Sequence, residues 1–281
     1  MKEYLRQLIK EQPNVLLRRS VTREYLQARI LQLLQGEGVF LNMAFVGGTA
    51  LRFLFFLPRY SEDLDFSVLH SKKINFEDLL HRLKINFEAE NYKIIIKEGK
   101  QKPVMGAFIR FHDLLYELGL SPHKDEVLSV KLEIDTNPPE GAVTAVTLIR
   151  RYVTVNFIHY DKASLFAGKV NAILTRKYTK GRDLFDLVWM LAGPYWPVPN
   201  FILLNNSLNQ TKWEGPKINS GNWKSILAEH IKNINWENVI KDAVPFLERE
   251  ADRNLLTKEN CKRLINRFHL KVIILSDFLD K

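Results

Sequence analysis

Two aspartates, Asp63 and Asp65, are separated by one residue in a segment that alternates between polar and apolar side chains. The apolar residues Leu64 and Phe66 fall on the opposite side of the pattern, which predicts a strand over 63–69. Alternation puts both carboxylates on one face, about 7 Å apart at the backbone. Like charges at this spacing repel, and a divalent cation removes that cost because hard cations bind carboxylate oxygens. The pair indicates a metal site, although a solvated polar face would show the same pattern.

A glycine turn precedes this strand. Gly47, Gly48 and Thr49 follow the apolar run 43–46 and open a short helical pattern that Pro58 closes. Glycines let the backbone approach a ligand closely, and a helix N-terminus presents free N–H groups that suit phosphate. The segment therefore predicts a phosphate-binding turn between a buried strand and a helix. An ordinary tight strand-to-helix turn would explain the same residues.

A third carboxylate is predicted on a later strand. Residues 127–135 alternate, and the polar side of the pattern carries Glu133 and Asp135. If this strand lies beside the one with Asp63 and Asp65, three carboxylates meet. Three carboxylates can hold two Mg²⁺ ions about 3.5–4 Å apart, an arrangement used for phosphoryl transfer. The pattern leaves open whether Asp135 or Glu133 is the ligand, and a solvent-facing strand end is the alternative.

The elements that position these residues follow from hydrophobic periodicity. The first part of the chain predicts helices over 3–12, 21–36 with Thr22 as N-cap, 49–56 and 76–90, and strands over 43–46, 63–69, 92–97, 107–112, 127–135, 143–148 and 152–157. The remainder predicts helices over 161–178, 182–192 and 224–280, with irregular stretches over 193–199 and 205–223. The fold class is α+β: a mixed β-sheet with flanking helices, then a helical C-terminal domain. The boundary is expected at residue 160, giving domains 1–160 and 161–281.

Composition narrows the class of protein. The 281 residues are 46% hydrophobic and 26% charged, which excludes a disordered or low-complexity chain. The formal net charge of +9 favours a polyanionic partner such as nucleic acid or a nucleotide. A single cysteine excludes an internal disulfide. Neither a signal peptide nor an apolar run of about 20 residues is apparent, so we expect no membrane segment and a cytoplasmic protein.

The order of these motifs resembles the DNA-polymerase-β-like nucleotidyltransferase superfamily, because a glycine turn, a helix, an Asp-x-Asp strand and another acidic strand follow one another. Four blocks are more closely similar to the AbiEii/AbiGii abortive-infection toxin family: Phe45–Leu51, Arg59–Phe66, Lys169–Arg176 and Arg182–Leu187. The resemblance covers about residues 20–195. It implies a nucleotidyltransferase-fold domain with N-terminal helices over 1–160 and a helical domain over 161–281 that completes the active-site cleft.

The resemblance also implies a function. Members of this family are toxins paired with an antitoxin. They transfer a nucleoside monophosphate from an NTP with Mg²⁺, of which two ions are expected, and some add nucleotides to the 3′ end of tRNA. Here Asp63 and Asp65 match the metal-binding pair, with Asp135 or Glu133 as the third carboxylate. Gly47, Gly48 and Thr49 match the turn that holds the triphosphate.

The later blocks add the remaining candidates. Lys169 matches the family's motif lysine, and Arg176, seven residues on, shares its helix face. Such cations suit a triphosphate. Arg182 is a further candidate for nucleotide binding, and Asp183 and Asp186 fall in the Arg-Asp-x-x-Asp block as candidate catalytic residues. The block leaves open which aspartate reaches the site, or whether they orient Lys169 and Arg176 instead, and an exposed salt-bridged helix pair is the alternative.

Three interpretations of function remain. The first is transfer to the 3′ end of RNA, most simply tRNA, which the basic charge and the cluster Arg176–Arg182 favour. The second is the same chemistry on a protein or a small molecule. The third is a nucleotide- or RNA-binding module without turnover. The presence of an acidic residue at every position where the family has one argues against this third interpretation. A protein–protein module with the antitoxin as its only partner would leave the Asp-x-Asp pair without a purpose. The family resemblance implies an NTP substrate and an antitoxin partner.

Overall fold

The computed structural model describes residues 2–69, 75–100 and 103–268. The chain divides into two compact units. The first comprises Met1–Pro138 and Thr144–Tyr160, and the second comprises Pro139–Val143 and Asp161–Lys281. The main break thus falls after residue 160, where the strand patterns of the sequence end. Whether the second unit completes an active-site cleft stays a prediction.

The first unit is built on a mixed sheet whose central strands carry the acidic residues. Within the described residues the sheet has seven strands in the order β3-β4-β5-β2-β1-β7-β6. The bounds are β1 Met43–Val46, β2 Asp63–Val68, β3 Lys93–Lys100, β4 Val104–His112, β5 Leu128–Asp135, β6 Thr144–Arg151 and β7 Val153–Tyr160. β2 runs antiparallel to β1 and parallel to β5, so the Asp-x-Asp strand is held from both sides. The mixed sheet with flanking helices confirms the predicted fold class.

Helices cover the apolar side of this sheet. The first unit contains α1 Lys2–Lys10, α2 Val15–Gly36, α3 Gly47–Phe55, α4 Phe76–Ala89 and the single turn α5 Leu114–Glu117, with a 3₁₀ turn at Val39–Leu41. α2 packs against β5 and β7, and α4 packs against β3. The aromatic rings of Phe45, Phe66 and Phe157 are buried beneath them and lie 5.2 to 5.3 Å apart between neighbouring ring centroids. This core fixes the central strands, and with them the positions of the polar side chains on the other face.

The described part of the second unit consists of helices joined by turns and irregular segments. Its helices are α6 Lys162–Thr175, α7 Gly181–Ala192, α8 Phe201–Gln210, α9 Trp223–Lys232, α10 Trp236–Ala243 and α11 Lys258–Arg267, with 3₁₀ turns at Val244–Phe246 and Glu250–Leu255. α6 packs against α7 and α8, and α7 packs against α10 and α11. Phe166, Trp223 and Phe268 form an aromatic cluster between α6, α9 and the end of α11. The α6–α7 pair carries the later sequence blocks.

Several sequence predictions of local structure were wrong. Thr22 does not cap a helix: α2 begins at Val15, and the side chain of Asn14 accepts from the Leu17 N–H at 2.9 Å. Thr22 is buried, and its hydroxyl donates to the Arg18 carbonyl. Helix α8 begins at Phe201 and runs to Gln210, so the irregular stretch begins at 211 and not at 205. The predicted helix over 224–280 is three shorter helices, and residues 269–281 lie outside the described part.

None of the helices in the described part of the chain is long and apolar enough to cross a membrane.

Candidate active site

The glycine turn lies directly against the second aspartate of the Asp-x-Asp pair. β1 leads into α3 at Gly47, whose φ of +80° is a left-handed conformation that glycine adopts without strain. In the sheet, Val46 is the register partner of Asp65. A Cβ added at Gly47 would overlap the Oδ2 atom of Asp65 and stand 3.0 Å from its Cγ. Glycine is therefore required here both for the backbone conformation and for the approach of the Asp65 carboxylate.

The second glycine accommodates a buried arginine that the sequence analysis did not assign. A Cβ at Gly48 would lie 2.8 Å from Nη2 of Arg59 and 3.0 Å from Oγ of Ser61. Arg59 is buried, and its Nη1 donates to the Tyr60 carbonyl at 2.9 Å. Its guanidinium therefore supports the segment that leads into β2. The sequence did contain a signal for these residues, since Arg59 and Ser61 belong to the second block of the family resemblance. That block did not predict their position against Gly48.

Thr49 fastens α3 to the aspartate strand. Its side chain is fully buried, and its hydroxyl donates to the main-chain carbonyl of Asp63. The sequence interpretation assigned this hydroxyl to the triphosphate. In the structure it has a partner within the protein, because β2 passes beside the first turn of α3. This contact holds the Asp63 backbone in a fixed position relative to the glycine turn.

The two acidic strands are neighbours, as the three-carboxylate hypothesis requires. β2 and β5 are parallel, and their register pairs Asp63 with Lys131 and Asp65 with Glu133. Asp135 lies opposite Ser67, and its Oδ1 accepts from the Asn137 N–H at 2.9 Å. Glu133 is thus next to Asp65, whereas Asp135 lies two register pairs further along and closes the following turn. The register favours Glu133 over Asp135 as the third carboxylate.

Lys131 is a cation within this acidic face that the sequence analysis did not single out. Its Nζ lies 2.8 Å from Oε1 of Glu133, and it is the register partner of Asp63. Burial by itself would lower the pKa of Lys131. The hydrogen bond to Glu133 and the charges of Glu133, Asp63 and Asp65 outweigh burial and raise that pKa above its ordinary value. Lys131 was visible on the polar side of the 127–135 pattern, but only the register places it beside Asp63.

The donor set fits a divalent cation held partly by its substrate. Among residues 2–69, 75–100 and 103–268, no three or more His, Cys, Asp or Glu side chains form a group that could hold a metal ion. Asp63 and Asp65 offer two hard carboxylate donors, while Glu133 is engaged by Lys131. Mg²⁺ is commonly bound by one or two carboxylates together with substrate phosphates and water. Two carboxylates beside a glycine turn at a helix N-terminus suit that mode of binding.

The later sequence blocks form a second charged group in the other unit. Lys169 on α6 lies 3.0 Å from Oδ1 of Asp183 and 2.6 Å from Oδ2 of Asp186, both on α7. Arg176 lies 2.8 Å from the other oxygen of Asp183. Asp186 is completely buried, and Asp183 nearly so. Both aspartates therefore contact the lysine, and the geometry matches the hypothesis that they orient Lys169 and Arg176.

Arg182 contacts a different helix. Its guanidinium lies 4.1 Å from the ring centroid of Phe246, and its backbone N–H donates to Oδ2 of Asp242 at 3.3 Å. A Cβ at the preceding Gly181 would overlap the carbonyl oxygen of Val239. The start of α7 is thus packed tightly against α10. This packing gives Arg182 a structural contact that the sequence did not indicate, and its assignment to nucleotide binding stays a prediction.

The structure brings the candidate residues together in two groups. The first unit holds the glycine turn and the acidic strands: Gly47, Gly48, Thr49, Asp63, Asp65, Glu133 and Asp135. The second holds the α6–α7 charges: Lys169, Arg176, Asp183 and Asp186, with Arg182 on the α10 side.

Solved structures share this fold. JHP933 from Helicobacter pylori matches with 24% identity and a TM-score of 0.55, covering 93% of this chain and 96% of that one. MenT4, a nucleotidyltransferase toxin from Mycobacterium tuberculosis H37Rv, matches with 14% identity and a TM-score of 0.61, covering 96% of this chain and 91% of that one. At these identities the likeness establishes the fold alone. Comparison with curated proteins gave no match.

The sequence itself matches a family model over residues 29–258. This range includes the glycine turn, both acidic strands and the α6–α7 charges, and it confirms the family that the four sequence blocks indicated. The chain belongs to the AbiEii family of nucleotidyltransferase toxins of type IV toxin–antitoxin systems.

Proposed function

We propose that this protein transfers a nucleoside monophosphate from an NTP to an acceptor hydroxyl, most simply at the 3′ end of tRNA, in the cytoplasm. The observation that carries the proposal is the contact between the glycine turn and Asp65. A Cβ at Gly47 would collide with that carboxylate, so the phosphate-binding turn and the acidic strand are built as one structure. Such an arrangement puts a triphosphate beside two hard anionic donors.

In the proposed reaction the acceptor oxygen attacks the α-phosphorus, and the bond from that phosphorus to the bridging oxygen breaks. Pyrophosphate leaves with the bonding electrons, and the acceptor proton passes to Glu133 or Asp135, the carboxylates that β5 offers beside β2. Asp63 and Asp65 would hold Mg²⁺, with Glu133 or Asp135 as a further ligand of one of two ions. When bound, Mg²⁺ would neutralise the charge that develops on the phosphates.

The other residues have binding and positioning roles in this proposal. Backbone N–H groups of Gly47 and Gly48 bind the phosphates at the start of α3. Thr49 keeps Asp63 in place through its hydroxyl. Lys169 and Arg176 stabilise charge on the triphosphate, an electrostatic effect that is commonly worth several kcal/mol. Asp183 and Asp186 fix the direction of the Lys169 ammonium group through their ion pairs.

The RNA acceptor is supported by the net charge of +9. The family implies an antitoxin encoded as a partner, and we propose that it restrains this activity. Transfer to a protein or small molecule, or nucleotide binding without turnover, would be revealed by the same experiment.

That experiment follows label from each α-³²P-NTP, with Mg²⁺, into total RNA and separately into protein. The wild type is compared with Asp65→Asn, and Asp125→Asn serves as a control because Asp125 is an exposed carboxylate in the loop before β5, beyond the end of that strand opposite to Glu133. We expect label on tRNA-sized RNA with the wild type and Asp125→Asn, and a loss of at least about a thousandfold with Asp65→Asn. Full transfer by Asp65→Asn would contradict the site. Label on protein alone would show that the acceptor is a protein and not RNA. Binding of NTP without any transfer would favour a binding module.

A further inference from the structure

The acidic strands continue into an open sheet face that no part of the proposed reaction uses. Cross-strand partners point to the same side of a sheet, and the register runs from Asp63 to Lys131, from Lys131 to Phe108, and from Phe108 to Lys97. The neighbouring row pairs Arg110 with Ile95. The intervening residues of β3, β4 and β5, among them Ile94, Ile109 and Val130, are buried in the core. One face of these strands is therefore core, and the other is not covered by α2 or α4.

This open face combines exposed apolar groups with cations. Phe108 is 37% exposed and Ile95 is 48% exposed. The guanidinium of Arg110 lies 6.0 Å from the centroid of the Phe108 ring, and Nζ of Lys131 lies 5.7 Å from it. We call Ile95, Lys97, Phe108 and Arg110 the basic–aromatic face. It presents one aromatic ring bordered by positive charge.

Two of these cations carry uncompensated charge. Lys93 at the far end pairs with Asp113, and Lys131 pairs with Glu133. In the part of the chain that the structure describes, no carboxylate forms an ion pair with Lys97 or Arg110. Their charges face solvent on the same surface as the Phe108 ring. A ligand that offers phosphates and a flat π-system would satisfy both features.

We propose that the basic–aromatic face binds a single-stranded segment of nucleic acid, which leads the acceptor end to the Asp63–Asp65 pair. Single-stranded nucleic acid is bound by a positive surface that follows its backbone and by aromatic rings on which bases stack. Phe108 and Asp63 are separated by two interstrand spacings, about 10 Å at the backbone. This inference rests on the proposed transfer for the role of the strand as acceptor. The binding itself does not depend on any turnover.

The chemistry favours nucleic acid over a protein partner. The core of a protein interface is depleted in charged residues, whereas two cations approach the Phe108 ring and a third, Lys97, is its register partner on β3. The exposed apolar area consists of one ring and one isoleucine. Stacking of a base on that ring, with phosphates near Lys97 and Arg110, uses the ring and both cations of the face.

Fluorescence anisotropy tests the binding with a labelled, unstructured single-stranded RNA of about a dozen nucleotides. NTP is omitted and EDTA is present, so transfer does not contribute. We expect Phe108→Ala to weaken binding at least about fivefold without changing its salt dependence, because it removes stacking and no charge. Arg110→Gln should weaken binding and reduce the slope of log K against log salt by about 0.7, the value for one phosphate contact on a single strand.

Two variants serve as matched controls. Phe56→Ala removes an aromatic ring that is 72% exposed at the end of α3, and Lys84→Gln removes an exposed cation on α4, the helix that packs on the other side of β3. Both should bind RNA as the wild type does. Phe108→Leu keeps an apolar side chain but removes the aromatic ring, so it should bind RNA as weakly as Phe108→Ala. Thermal unfolding of each variant shows whether the fold is retained.

The inference is overturned if Phe108→Ala and Arg110→Gln bind as tightly as the wild type, or if the wild type shows no binding to single-stranded RNA. Failure of the proposed transfer would look different, since it would appear as absent label with RNA binding and the effects of both variants intact.

Discussion

The two charged groups of this protein balance their charges in opposite ways. On the β2–β5 face, Lys131 lies in the same strand register as the carboxylates of Asp63, Asp65 and Glu133. In the α6–α7 group, two cations face two carboxylates, and both carboxylates are buried. By residue type, the β2–β5 register brings together three carboxylates and one lysine at a partly exposed surface, whereas the α6–α7 group contains two carboxylates and two cations.

This difference indicates a different role for each group. Burying an ion pair costs desolvation free energy, and removing one partner of a buried pair strongly destabilises the protein. The α6–α7 group therefore holds Lys169 in a fixed orientation, and the stability of the protein depends on each residue of the group. The two strands of the β2–β5 face carry more carboxylates than lysines in their shared register, and carboxylates attract a cation from solution. One region is preorganised by its own charges, and the other is left to be completed by a ligand.

The largest expected effect breaks the buried group. Asp186→Asn leaves the Lys169 ammonium with one carboxylate fewer in a buried setting, so the free energy of unfolding should fall by about 3 kcal/mol. Urea denaturation measures the change. Glu250→Gln, which removes an exposed carboxylate paired with Arg253 in the same unit, should change stability by less than about 0.5 kcal/mol. Asp65→Asn keeps the size and shape of a side chain that is only partly buried and should cost less stability than Asp186→Asn. Equal losses for Asp186→Asn and Asp65→Asn would refute the contrast between the two groups.

The next effect breaks the acidic face through its backbone. Gly47→Ala puts a Cβ against the Asp65 carboxylate at a φ of +80°, so we expect a loss of about 2 kcal/mol of stability together with most of the transfer activity. Gly36→Ala is the matched control in the same unit. Gly36 ends α2, and an added Cβ there meets no atom within 4 Å, so its stability should change by no more than about 0.5 kcal/mol. A Gly47→Ala variant with normal activity would show that Asp65 need not stay against the turn.

A third prediction sharpens the charge comparison without touching a carboxylate. Lys131→Met removes the cation from the β2–β5 face, and the net charge there becomes more negative. Mn²⁺, added without nucleotide and followed by its electron paramagnetic resonance signal, should bind about tenfold more tightly. Lys93→Met is the control, because Lys93 also pairs with a carboxylate, Asp113, but on the edge strand of the same sheet. If Lys131→Met binds Mn²⁺ no better than the wild type, Lys131 does not govern the charge of the site.

The sequence predicted the composition of the acidic face better than its connections. Alternation correctly put Asp63 and Asp65 on one side of a strand, since side-chain direction in a strand depends only on position. The relation of Lys131 to Asp63 depends instead on the register of two strands almost 70 residues apart, which no local pattern contains. The choice between Glu133 and Asp135 stayed open in the sequence for the same reason.

In the α6–α7 group, the spacing of Lys169 and Arg176 indicated a shared helix face, but burial decided the arrangement. Asp183 and Asp186 are three residues apart, and either could have faced solvent. Their full burial arises from packing of α7 against α6 and α10. The N-terminal boundary of α2 was wrong because Arg18 and Arg19 interrupt the apolar pattern. In the structure these arginines extend to the carbonyls of Gln12 and Leu120 and remain compatible with the helix.

The smallest expected effect concerns the response of the helical unit to acid. His230 on α9 is half-buried and bonds to the backbone of Ile173, on the helix that carries Lys169, and burial lowers its pKa below the ordinary value. Between that lowered pKa and about 6.5 the unfolded chain binds more protons than the folded one, so the free energy of unfolding decreases as the pH falls through this range. Urea denaturation at pH 7.5, 6.5 and 5.5 should show a decrease in the wild type and a smaller one in His230→Gln. An unchanged pH dependence in that variant would assign the acid response to other groups.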